Sequence, residues 1–377
     1  MDNENKNKRI VFIDLMRAYA ILMMVQGHLV DSCLASIYRD SENTLYFIWN
    51  FMRGVTAPVF FFSSGMIFTF LLMKQEKQGI GLKNPRVKKG VSRFLMLIGI
   101  GYLLHFNFWF IVDIMDGSLS RTYYNMIRVD VLHIIAVAIL FIVGTYVLSR
   151  LTKIKMYLLL LILAMSSFLF YPDIVSANFN YLPKFLASYI DRGQNFGFTI
   201  IPWVGYSLFG GILGIFIYSK PKFITNNLFA AMFLLLGVLF HYSSSSILMD
   251  FYDLTGWDNL KSLAFNNFQF FRLGHVFVAV GVFMFINNSK IKIPSIIPKI
   301  GAETLTIYVV HAFVIYGSIF QFGIAQSYGK SLTPWECFAI ALLIEIFFFI
   351  LIYFIDDIRK YLRTLSFKLK VITNSKT

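Results

Sequence analysis

Four ionisable residues share one face of the first apolar stretch, Ile10 to Ala35: Asp14, Arg17, His28 and Asp31. At about 100° per residue on a helix, Arg17 lies roughly 60° from Asp14, His28 roughly 40° and Asp31 roughly 100°, so the four form a stripe while Gln26 points elsewhere. The rise from Arg17 to His28 is roughly 16 Å, about three turns. A fixed cation therefore stands below an imidazole that can take up and release a proton. An imidazole titrating near working pH suits general-base chemistry. Asp31 could tune that histidine, and Asp14 could pair with Arg17 and position it. Ionisable groups inside a spanning helix face a bundle interior or a watery cavity and mark a functional path. The catalytic candidates are His28, Asp31 and Asp14.

Further candidates follow from where each residue falls along its apolar run. His133, His275 and His311, with Arg53 and Arg272, map to the outer half or the middle of their segments, where they could bind an acceptor. His105 and His241 read as helix-end residues meeting water or headgroups. The most basic stretch, KQEKQGIGLKNPRVKKGVSR, contains Lys83, Arg86, Lys88, Lys89 and Arg93, which could hold the phosphates of a nucleotide-like ligand. Topology alone would give the same composition. GxxxxGK[ST] is absent, so no P-loop is indicated. Cys33 and Cys337 make neither a CxxC nor a disulfide framework, and no metal is called for.

The elements that must position these residues are membrane helices. Of 377 residues 57% are hydrophobic and 14% charged, with mean hydropathy +0.66, against about 25% charged in a soluble domain. The sequence predicts an all-α integral membrane protein, one polytopic domain over 1–377, with ten spans near 10–34, 46–73, 91–112, 131–149, 155–171, 199–218, 225–242, 268–288, 301–323 and 335–355. The first is too long and too charged for a cleaved signal peptide. Alternate connections, together with the two termini, hold 24 of the 34 lysines and arginines. That alternation places both termini in the cytoplasm. It also accounts for the net charge of +14 without nucleic acid. The loops at 113–130, 172–198 and 243–267 read as a cap over the outer face. In the second span Pro58, followed by Ser63, Ser64 and Gly65, predicts a kink or a close helix contact.

The stretch RIVFIDLMRAYAILMMVQGH resembles the first helix of the acyltransferase-3 family and its relatives, whose hallmark is an arginine separated by ten residues from a histidine, here Arg17 and His28. TAPVFFFSSGMIF resembles the second-helix signature of that superfamily. RVDVLHIIAVAIL and FTIIPWVGYSLFGGILGIF are similar to segments of the bacterial proteins like heparan-alpha-glucosaminide N-acetyltransferase, and GAETLTIYVVH resembles a late helix of both branches. The resemblance covers about residues 9 to 315. It implies transfer of an acyl group, acetyl by expectation, from cytoplasmic acyl-CoA to a glycan or lipid-linked glycan across an inner membrane. His28 would be catalytic and Arg17 would lie along the donor channel. The heparan branch has asparagine at the position of His28 and a histidine slightly later; here the later loop, SIYRDSENTLYFIWN, has none. The chemistry is therefore expected to follow the acyltransferase-3 pattern, with membrane lipids around the chain and a monomer or a homodimer as the working unit. A transporter or flippase, using the stripe as a relay, is the alternative.

Overall fold

A computed structural model describes residues 10–109, 112, 115–116, 125–192, 197–320 and 322–374, the last eight by backbone alone. Among them every regular element is helical, and the one departure is an isolated parallel bridge between Leu34 and Leu332. Apolar runs in hydrocarbon must satisfy their own backbone groups, and a helix does so within one segment. The main helices are α1 (Val11–Cys33), α2 (Thr44–Gln75), α3 (Pro85–His105), α4 (Val131–Thr152), α5 (Met156–Leu169), α6 (Ile200–Ser219), α7 (Asn227–Thr255), α8 (Phe268–Asn288), α9 (Ile296–Ala302), α10 (Thr304–Tyr316), α11 (Pro334–Tyr353) and α12 (Ile355–Asn374).

Helix starts follow capping chemistry. The Asn43 side chain accepts the Leu45 and Tyr46 amides, Asn84 precedes Pro85 and accepts the Arg86 amide, and Thr333 and Glu336 form a reciprocal capping box. At α4 the cap is Asp130, which accepts the Leu132 and His133 amides. This cap fixes a carboxylate inside the bundle.

Helix α1 is the central post, packing on α2, α8, α9, α10 and α11. Its Phe12, Met16, Ile21 and Leu29 are wholly buried. Two close approaches set the frame. On α6, a Cβ placed on Gly210 would fall 1.9 Å from the Phe62 carbonyl oxygen of α2, and one on Gly65 of α2 would fall 1.9 Å from that of Ser207. On α9, a Cβ on Gly301 would lie 1.9 Å from the Asp14 carbonyl oxygen. Helices without a hydrophobic drive between them associate through such small-residue contacts. Close packing beside Pro58 is thus what α2 displays; the helix continues unbroken through the proline.

Seven helices, α1, α2, α4, α6, α7, α8 and α11, are long and apolar enough to cross a membrane, and α9 with α10 makes an eighth candidate bent by 78°. Helix α5 is apolar but has 14 residues. The expected third span, 91–112, is displaced: α3 begins at Pro85 and ends at His105, and its opening turns, PRVKKGVSR, are strongly basic. The expected outer loop at 243–267 is largely helical. Helix α7 runs on to Thr255, where Gly256 ends it in the left-handed region at φ 70°, and Asp258–Phe265 is a further short helix. The serine run Ser243–Ser246 contains no breaker, so nothing stops α7 earlier. Parts of the expected cap, residues 117–124 and 193–196, lie outside the described residues.

Candidate active site

The polar stripe of α1 opens on a cavity of about 270 Å³. His28, Asp31, Gly27 and Met24 of α1 form one wall, Arg53, Thr56 and Phe60 of α2 a second, and Trp203 of α6 and Arg272 of α8 the far side. Four residues singled out from the sequence, His28, Asp31, Arg53 and Arg272, therefore meet around one space. Gly27 makes room for this arrangement, since a Cβ there would press on the Arg53 side chain at 3.2 Å.

His28 is held from behind. The Tyr316 hydroxyl lies 2.8 Å from its Nδ1, and the His311 ring stacks on it at 5.2 Å between centroids and 22° between planes. If Nδ1–H donates to the Tyr316 oxygen, Nε2 is left bare as a base. His311 is buried at 2% exposure.

Asp31 forms an ion pair with Arg53, which also donates to Asn50 Oδ1 at 3.2 Å and lies over the Trp49 ring. Arg272 instead stands over the rings of Trp203 and Phe268, at 6.0 and 5.4 Å, with no carboxylate in ion-pair distance among the described residues. Among the described residues Asp31 is the one acid lining the cavity, against two arginines.

The other candidates fall elsewhere. His133 belongs to a polar knot one layer behind. Its Nδ1 is 2.7 Å from Asp130 Oδ1, His105 Nε2 approaches Asp130 Oδ2 at 3.4 Å, and the Tyr308 hydroxyl donates to Asp130 Oδ2 at 3.1 Å. Tyr308 meets the His311 ring edge-on, at 5.0 Å between centroids and 71° between planes, so the knot and His28 are joined through ring contacts. His275 leaves the cavity altogether: it pairs with His241 at 3.0 Å, meets Phe51 and lines a separate apolar pocket between α7, α8 and α2.

At the other end of the stripe, Arg17 donates to the Thr304 hydroxyl at the start of α10, and Asp14 is buried where α1 meets Gly301 of α9. Arg86, Lys89 and Arg93 occupy the first turns of α3. Arg86 lies over the Phe68 ring at 5.1 Å. No carboxylate is within ion-pair distance of Arg86 or Arg93 among the described residues. Lys89 is exposed. Gln26 turns from the stripe, as its angle predicts, and donates to Glu345 of α11. No group of three or more metal-ligating side chains is assembled among the described residues.

Sequence reasoning missed Tyr316, Trp203, Asp130, Tyr308 and Glu345. Asp130 carried a signal, an acid opening an apolar run with a polar residue three places on. Glu345 carried one too, a single carboxylate within an apolar span.

Residues 9–249 match the family model described as heparan-alpha-glucosaminide N-acetyltransferase, catalytic. No curated protein and no solved structure matches the chain. The matched region contains His28, Asp31, Arg53 and Trp203, while Arg272, His311 and Tyr316 come from helices beyond it.

Proposed function

Because the chain belongs to the heparan-alpha-glucosaminide N-acetyltransferase catalytic family, we propose that it is a multi-pass membrane acyltransferase of the cytoplasmic membrane, moving an acetyl group from acetyl-CoA inside to a hydroxyl, or less readily an amino group, of a glycan or lipid-linked glycan outside. One observation carries this reading. His28, braced at Nδ1 by Tyr316, faces a polar cavity, while Arg17 stands three turns away on the same helix.

The donor would enter beside Arg17, its phosphates attracted by Arg86, Lys89 and Arg93 and its extended arm following α1. The rise of roughly 16 Å between Arg17 and His28 is comparable with such an arm. The cavity is small, enough for a thioester end and the reacting part of an acceptor. There His28 Nε2 takes the proton of the attacking hydroxyl as oxygen bonds to the thioester carbon. The carbon–sulfur bond then breaks, and the imidazolium returns a proton to the departing thiolate. The Asp31–Arg53 pair borders the attack site and holds polarity at the cavity mouth. Arg272, flanked by rings and without a carboxylate partner, suits an acceptor with an acidic substituent, and Trp203 offers a face for a sugar ring. Asp14 braces the donor end of α1. His133 acts through the Asp130 knot and His275 through packing at the lipid face, so neither touches the acceptor. This assignment follows the acyltransferase-3 pattern at His28, with ten spans, counting α3, α5 and the bent α9–α10 pair, and both termini cytoplasmic.

The test is release of free thiol from acetyl-CoA by the purified, reconstituted protein when cell-envelope glycan is supplied. Thiol release with transfer of label to glycan, lost in His28→Ala, is expected. Movement of a glycan across the bilayer with no thiol released would favour the transporter or flippase reading.

A further inference from the structure

Helix α12 leaves the last span as a feature the acyltransfer reading does not use. Beyond its buried first residue, Ile355, its side chains are exposed as far as they are described, through Ser366. Ile358, Tyr361, Leu362 and Leu365 form an exposed apolar face, with Tyr361 68% exposed. In sequence, Leu369 and Ile372 continue the same arc of about 100°. On the same wheel Lys368 borders the arc on one side and Arg359 stands about 60° beyond it on the other, Lys360, Arg363 and Lys370 occupy the opposite, polar face, and no acid follows Asp357. A helix with a narrow apolar face and a cationic polar face is built to lie in a bilayer interface.

Its start is anchored by ion pairs. Arg359 grips Glu303 with two hydrogen bonds of 2.7 and 2.6 Å, and Lys299 pairs with Asp356 at 2.7 Å while also donating to the Tyr353 carbonyl. Glu303 and Lys299 belong to the bend between α9 and α10. These contacts occupy Asp356 and Arg359 and leave Asp357 against four cations, Lys360, Arg363, Lys368 and Lys370, along the rest of the helix.

We propose that α12 is an anionic-lipid docking helix, lying on the membrane surface with Ile358, Leu362 and Leu365 in the acyl-chain boundary and with the net positive charge of its polar face, Lys360 and Arg363 included, drawing it to acidic headgroups. The occupant follows from charge complementarity and from continuity with the last span, which delivers the helix at the membrane edge. A second copy of this chain would present the same cations and repel.

The experiment uses the full chain with a fluorophore on Leu362→Cys, the buried Cys33 and Cys337 left in place. The protein is reconstituted into phosphatidylcholine bilayers with or without phosphatidylglycerol. Brominated acyl chains should quench the probe several-fold more strongly than aqueous iodide in the anionic bilayer. Lys360→Glu with Arg363→Glu, both surface positions that leave folding intact, should reverse that preference. Equal iodide quenching in both bilayers would overturn the proposal. Energy transfer between labelled copies that rises with protein density, together with protection from brominated lipid, would assign the face to self-association instead. None of these readouts depends on catalysis.

Discussion

A histidine serves as a base only through a nitrogen that is free, and in the proposed mechanism the Tyr316 hydroxyl at Nδ1 is what leaves Nε2 of His28 free. Removing the tyrosine hydroxyl in Tyr316→Phe leaves Nδ1 without its partner, so both tautomers become available. Acyl transfer should fall about tenfold in kcat with thermal stability nearly unchanged, as steady-state kinetics and a melting curve would show. His28→Ala should cost on the order of 100-fold or more; wild-type thiol release from that variant would sink the mechanism. Arg272→Gln is expected to raise KM for an acidic acceptor while sparing a neutral one, read from the two acceptors side by side. The cavity residues were legible because a charge in an apolar run stands out. Tyr316 was not, being one of 20 tyrosines in a chain where such residues commonly sit at membrane interfaces. His275 does not line the cavity with Arg272, for a geometric reason. Three residues turn a side chain by about 60°, enough to move it from the cavity to α7.

At the level of elements, the contact between α2 and α6 holds the two walls of the cavity that carry Arg53 and Trp203. A methyl added by Gly210→Ala must displace backbone, so it should destabilise the protein by about 1–3 kcal/mol. Gly144→Ala on α4 meets nothing within 4 Å and should be neutral or gain up to about 1 kcal/mol from helix propensity. Thermal unfolding of the two variants in one detergent checks the contrast; equal melting temperatures would mean that the helices can separate at no cost. The sequence pointed to this contact through Gly65 but could not name its partner. Small residues advertise a close approach without saying to which helix. Hydropathy likewise located α3 only approximately, because its basic opening turns are helical although they are not apolar.

For the whole molecule, charge alternation makes a directional statement that single-cysteine labelling can check. In sealed vesicles, Lys77→Cys should react only with reagent on the cytoplasmic side and Asn178→Cys only from outside. Reaction of both from one side would overturn the ten-span arrangement. The all-helical architecture was legible from composition, since hydrocarbon leaves few options for backbone groups. The break in the last-but-one expected span was not. Glu303 interrupts an otherwise apolar run, and a lone acid reveals neither the 78° bend nor its direction. That bend starts a new helix at Thr304, beside Arg17, deep in the bundle. The first amides of a helix have no acceptor within it. Water must reach them unless side chains or a ligand do. Backbone deuterium uptake should therefore be fast at 304–306, an island of exchange within a protected core, and it should slow when a negatively charged group settles against Arg17.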